Sequence, residues 1–241
     1  MRAASLRGTP TPRRTAEAPM TVRFEASWCN TDLGPYRDCA YTYERYPYDS
    51  VPPLDAALFT GAFDWLGGPS GEPSGQAAEL AGLERAVAAL GLALPADFLT
   101  YHRDARLLRE LDSVSPTGGW QDFSAPLPSP VEPGAHLVRF FRDQQDCVIW
   151  YLYLRPGGEV FVVHSWLDYE SEFEWIEDGE EPREELSDPA AIHWCARSFE
   201  EFAHRYWVES RICRAYLDGD EPQDPRLLAY LAHYAEQQPG A

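Results

Sequence analysis

The densest run of side chains able to do chemistry is Asp168–Trp175, DYESEFEW. Asp168, Glu170, Glu172 and Glu174 alternate there with Tyr169, Ser171, Phe173 and Trp175. Read as a strand, the alternation puts four carboxylates on one face and mainly aromatics on the other. Such a row has three uses: to hold a cation, to supply an acid and a base to a sugar, or to meet a basic protein. Cation binding wants the glycine and ligand pattern of a calcium loop, which is missing. Glycoside chemistry wants two carboxyls set about one bond, which no spacing in the chain specifies. Protein binding fits best, because like charges lined along one face repel unless a partner or solvent offsets them. The predicted partner-binding residues are therefore Asp168, Tyr169, Glu170, Glu172, Glu174 and Trp175, aromatic anchors inside a charged rim. Glu177–Asp188 adds more acids against the single Arg183 and reads as a solvated loop.

Other chemistries find less support. A hydrolase needs a nucleophile beside a base, and the chain has no GxSxG. Gly67-Gly68 and Gly157-Gly158 sit in turns without the lysine of a phosphate loop, and the chain has no lysine at all. His164 closes an apolar run and reads as a satisfied edge histidine. His193 and Cys195 share a face of a short strand beside Trp194, an arrangement of packing. The five cysteines show no CxxC and no Cys/His ligand spacing. No catalytic residue, metal or cofactor is therefore expected. An odd thiol count fits reduced cysteines in a cytoplasm, with a Cys29–Cys39 disulfide as the alternative. Cys147 and Cys213 lie in apolar patterns and are expected in the core.

Charge narrows the partner. The 241 residues carry a formal net charge of −19, the wrong sign for nucleic acid. It suits encounter with a basic protein. No segment has the roughly 18 uninterrupted apolar residues of a membrane span, and the arginines at the N-terminus precede no apolar signal region.

The elements that must position the acidic row centre on residues 137–165. Leu137–Phe141 is a short apolar strand, and Cys147–Leu154 (CVIWYLYL) is a run with no polar break, the pattern of a strand buried on both faces. Arg155-Pro156-Gly157-Gly158 then turns the chain into Glu159–His164. Helices are predicted at Gln76–Leu92, from Leu80, Leu83, Val87 and Leu90, and after Pro95. Ser198 with Glu201 reads as a capping box that opens a long helix, and Asp224-Pro225 opens a last one. Thr21–Trp28 reads as a half-buried strand, followed by a tyrosine-rich stretch. The expected organisation is a disordered tail at 1–20, with Met20 an alternative start, then a β and tyrosine-rich extension at 21–66 and a Gly/Pro/Ser linker at 67–75. An α+β domain spans 76–218 and a C-terminal helix 219–241. Its central sheet is mostly antiparallel, with the helices segregated to one side.

From about Glu79 to Leu217 this order resembles the SUKH superfamily, which includes a fungal cell-wall-assembly regulator and many bacterial immunity proteins. The resemblance is carried by the helix ending at Gly91, the Leu94-Pro95-Ala96-Asp97-Phe98 element, the strand from Asp146 to Leu152, and the Ser198-Phe199-Glu200-Glu201-Phe202 helix start. The Asn-Gly pair that usually follows the second element is absent, and His102–Arg109 stands there instead. The resemblance implies a non-enzymatic, cytoplasmic protein-binding domain that neutralises a cognate toxin. The alternative is a regulatory or scaffold domain of the same fold that binds a host protein.

Overall fold

A computed structural model describes residues 21–237; the tail expected at 1–20 and the start at Met20 lie outside the described residues. The chain begins with strands β1 (Glu25–Asn30) and β2 (Glu44–Pro47). Helices α1 (Ala77–Ala89), α2 (Ala96–Arg103) and α3 (Ala105–Val114) follow. Two short strands, β3 (Gly119–Trp120) and β4 (Leu127–Pro128), lead into β5 (His136–Asp143), β6 (Ile149–Leu154) and β7 (Val160–Ser165). Helix α4 (Tyr169–Glu177), strand β8 (His193–Ala196) and helices α5 (Phe199–Leu217) and α6 (Pro225–Gln237) complete the α+β fold.

The sheet order is β2-β1-β8-β7-β6-β5-β3, with β4 also on β5. Every pairing is antiparallel except β1 with β8. The meander β5-β6-β7 forms as its sequence predicts. Strand β6 is buried at every position, and its alternate residues feed two cores. Trp150, Leu152 and Leu154 face one side, while Ile149, Tyr151 and Tyr153 face the other. A bulge at Arg139–Phe141 turns both Phe140 and Phe141 toward the first core while Arg139 stays level with Tyr151. Gly157 and Gly158, at φ +98° and +93°, make the β6–β7 turn, which their lack of a side chain permits.

The first core packs against α1, α2, α3, α5 and α6. Of the described α-helices, α4 lies against the second, through Tyr169, Phe173 and Ile176, beside Leu186 and Ala191 from the loop that follows. The N-terminal segment is part of the sheet: β1 lies parallel to β8, and Trp28 packs on Phe202 of α5 with ring centroids 5.9 Å apart. The Gly/Pro/Ser stretch 67–75 is held against the α2–α3 junction. Asp104 accepts hydrogen bonds from Ser70 Oγ and the Gly71 N–H, and Ser74 N donates to the Arg103 carbonyl. Asp104 also caps α3, accepting from Arg106 N and Leu107 N. That helix occupies the region where the SUKH resemblance departs from its pattern. Its apolar stripe, Leu107, Leu111 and Val114, is buried.

Charge inside the helix layer centres on the buried Glu209. This carboxylate takes hydrogen bonds from Trp28 Nε1 at 2.6 Å, Tyr230 Oη at 2.5 Å and both terminal nitrogens of Arg37 at 2.7–2.8 Å. Arg205, stacked near Trp28, Tyr48 and Tyr230, donates to Tyr230 Oη. The network joins β1, the Arg37 loop, α5 and α6. Burial opposes ionisation of Glu209, but the Arg37 charge and these hydrogen bonds outweigh it and hold the carboxyl below its usual range.

Candidate acidic interface

The stretch Asp168–Trp175 is a helix and not the strand its alternation suggests. Tyr169, Phe173 and Ile176, at i, i+4 and i+7, face the second core, a stripe that coexists with the two-residue period of the acids. Asp168 caps this helix, its side chain accepting from Glu170 N. Glutamates in the first turn then meet the positive end of the helix dipole, so the local chemistry favours helix over strand. Gly179, at φ +98°, ends it, with Glu180 N bonding back to the Trp175 carbonyl.

The change of element redistributes the predicted residues. Asp168 and Glu170 both pair with Arg139 of β5, at 3.0 and 2.7 Å, and Asp122 completes the cluster at 3.0 Å. Arg139 is buried, so these carboxylates are structural counter-charges that fasten the start of α4 to the sheet. Tyr169 is fully buried beneath the helix, 5.6 Å from the Tyr151 ring, and offers nothing to a partner. Glu172 is buried and bonded to Arg183 at 3.3 Å. Of the predicted residues only Glu174 and Trp175 are exposed. Four aligned carboxylates therefore do not exist as one face.

The exposed acids gather farther along, around the end of α4 and the loop after it. Glu177, Asp178, Glu180, Glu181, Glu184 and Glu185 are exposed, and among the described residues neither they nor Glu174 has a cationic partner. Glu174 and Glu177 occupy the last turns of α4, and no basic residue lies in its last turn. Negative side chains at that end repel the helix dipole. Beside them a cleft of about 320 Å³ is lined by Glu172, Trp175, Ile176, Glu180, Glu181 and Arg183. Arg183 sits over the Trp175 ring at 5.4 Å, which leaves an indole 46% exposed in an acidic setting. The loop acids were legible in the sequence as a charge run, but their gathering about Trp175 was not.

The residues screened for catalysis are placed as follows. Ser27 Oγ lies 3.0 Å from His164 Nε2. Among the described residues no carboxylate contacts the His164 ring, and burial, followed by the nearby His193 and Arg45, pushes that imidazole down to about 3. Burial therefore disfavours the imidazolium that would form if His164 took the Ser27 proton. Cys195 is buried, and burial raises its thiol well above the usual value. All five cysteines are free thiols, so Cys29 and Cys39 form no disulfide. Cys213 is buried as expected, but Cys147 is exposed, since the apolar run it opens enters the sheet only at Ile149. Among the described residues no group of three His, Cys, Asp or Glu side chains could hold a metal ion, and no helix is long and apolar enough to cross a membrane.

No protein-family description, no curated protein and no solved structure matches this chain.

Proposed function

We propose that the chain is a non-enzymatic protein-binding domain that takes a basic partner on the acidic end of α4. The observation that carries this reading is the set of unpaired carboxylates gathered about the half-exposed Trp175. The set opposes the helix dipole, so it lowers the stability of the free chain and is relieved by a cationic partner. Trp175 supplies the large apolar anchor such an interface needs at its centre. Of the residues that hold the platform, Asp168, Glu170 and Glu172 are already paired within the protein and Tyr169 is buried. The contact surface is therefore Glu174, Trp175, Glu177, Asp178, Glu180 and Glu181. With the SUKH resemblance of its element order, the partner is a toxin domain that the chain neutralises in the cytoplasm.

The test is affinity capture from the native cell with the tagged full chain, eluted by a salt step, followed by expression of each captured protein alone. A basic protein that is toxic alone and harmless with this chain supports the reading. The same capture with Glu174, Glu177, Glu180 and Glu181 all changed to Gln must lose it. A non-toxic host protein would replace the toxin reading with the regulatory one, and capture unaffected by the four substitutions would move the interface elsewhere.

A further inference from the structure

A second feature lies at the opposite, N-terminal side of the sheet and owes nothing to the acidic helix end. A cavity of about 610 Å³ opens between the Tyr41–Arg45 segment, the Cys147-Val148 entry to β6 and the His164–Trp166 end of β7. That volume lies within the range of ordinary small-molecule sites. Two histidines line it. His164 and His193, from adjacent strands paired at these two residues, stack with centroids 5.1 Å apart and planes at 15°. Both are buried. Arg45, on β2, donates a hydrogen bond to His193 Nε2. A guanidinium has only donors, so that nitrogen carries the lone pair, and His193 is neutral with its proton on Nδ1.

Two groups there are left short of partners. His193 Nδ1 is buried without a hydrogen-bond acceptor; its nearest carboxylate, Glu25, stands 4.0 Å away with its side chain in solvent. The His193 side chain is only 4% exposed, so water does not readily supply the missing acceptor. Arg45 forms no ion pair among the described residues, although acids outnumber bases 39 to 20 in the chain. Its remaining donors have no acceptor among the described residues. The other walls are the aromatic and aliphatic surfaces of Tyr43, Val148 and Trp166, with Trp166 exposed at the rim.

We infer that this cavity binds a small organic monocarboxylate with a flat apolar body, its carboxylate on Arg45 and its body against Tyr43, Val148 and Trp166. The charge count selects a carboxylate over a phosphate ester. Among the described residues Arg45 is the one cation lining the cavity, since His164 and His193 are neutral, and Glu44 also lines it. A single guanidinium matches a carboxylate in charge and in its two-point geometry. Beside Glu44 a dianion would leave one more charge uncompensated than a monocarboxylate does. The apolar walls add affinity in proportion to the surface they cover, which favours an aromatic acid over acetate.

The experiment titrates the full chain with 3-phenylpropionate, its neutral amide and phenyl phosphate, following tryptophan fluorescence and calorimetric heat. The expected result is saturable binding of the acid at millimolar concentration or tighter, with the amide at least about tenfold weaker. Arg45→Gln should remove the preference for the acid; because Arg45 also donates to the buried His193 Nε2, the melting temperature is measured alongside, and a variant that stays folded but keeps the preference would overturn the inference. Arg85→Gln, the same charge change on the exposed side of α1, should keep the preference. Equal binding of acid and amide, tighter binding of the phosphate, or no saturable binding of the acid would each overturn the inference. None of these outcomes touches the basic-partner reading, whose test uses residues on the other side of the sheet.

Discussion

The two faces of the central sheet treat charge in opposite ways. On the helix-rich face the Glu209 carboxylate is fully buried and takes hydrogen bonds from Trp28, Arg37 and Tyr230. On the α4 face, charge is graded. Arg139 gathers Asp122, Asp168 and Glu170 against the sheet, Glu172 pairs with Arg183, and the exposed acids from Glu174 onward are left without cations among the described residues. A charge sealed from water must be satisfied inside the fold, because the cost of leaving it bare is several kcal/mol. A charge at the rim is hydrated for little, so it is free to serve a partner. Position relative to the sheet thus separates the structural acids from the recognition acids, although both kinds are the same residue types.

The largest effect that would break this contrast is at Glu209. Replacing it with Ala should destabilise the fold by about 3–5 kcal/mol, because Arg37 is then buried without its partner. Denaturant unfolding measures this, and a loss below about 1 kcal/mol would mean that water reaches the network.

Acid should act on the buried interior next. Burial holds His102 and His164 at about 3, and burial with the nearby Arg205 and Arg226 holds His204 at about 4. These groups are neutral in the fold but take protons in the unfolded chain near the ordinary value of about 6.5. Their contribution is therefore complete above that value and is lost as pH falls toward the folded values. The slope is roughly 1.4 kcal/mol per pH unit for each group. Glu209, held below its usual range, adds a loss of the same sign at lower pH. Urea unfolding stepped from pH 7 to pH 4 reads the slope; flat stability across that window would show that the histidines are hydrated.

Arg139→Met comes third. It strips the counter-charge from Asp168 and Glu170 at the start of α4. Because those carboxylates are partly exposed, the expected loss is reduced to about 1–2 kcal/mol, with faster amide exchange in Tyr169–Glu177 than in β6. Uniform exchange would mean that the apolar stripe alone holds the helix. The smallest stability effect belongs to the rim. Changing Glu174, Glu177, Glu180 and Glu181 to Gln should leave stability within about 0.5 kcal/mol, shifted if anything upward. The same change should slow association with the basic partner and flatten its salt dependence.

The acidic helix also shows where local reading stops. The DYESEFEW run has a two-residue period in its charges, and with the Ile176 that follows it a helical period in Tyr169, Phe173 and Ile176, and the sequence contains both. The apolar period prevailed because it buries surface against Tyr151 and its neighbours, while charge alternation buries nothing. The tyrosines of the N-terminal segment behave likewise. A stacked platform is conceivable from their spacing, but Tyr43, Tyr46 and Tyr48 each bond to a different place, Thr117, the Asp38 carbonyl and Glu201.

What the sequence determined by itself is whatever rests on near neighbours. The meander follows from uninterrupted β-branched and aromatic runs and the Pro-Gly-Gly turn, and α1 from its leucine stripe. Helix α5 follows from Ser198, whose hydroxyl accepts from Glu201 N as a cap should. The Glu201 carboxylate, however, goes to Tyr48 and Arg197. That second half of the motif depends on a residue 153 positions away. The tertiary structure alone decided the parallel docking of β1 on β8, the choice of Arg37 for Glu209, and the meeting of Arg45 with His193. These contacts join residues more than a hundred positions apart, and no local periodicity encodes them. They are selected by the shared need of distant segments to bury apolar surface without stranding a charge.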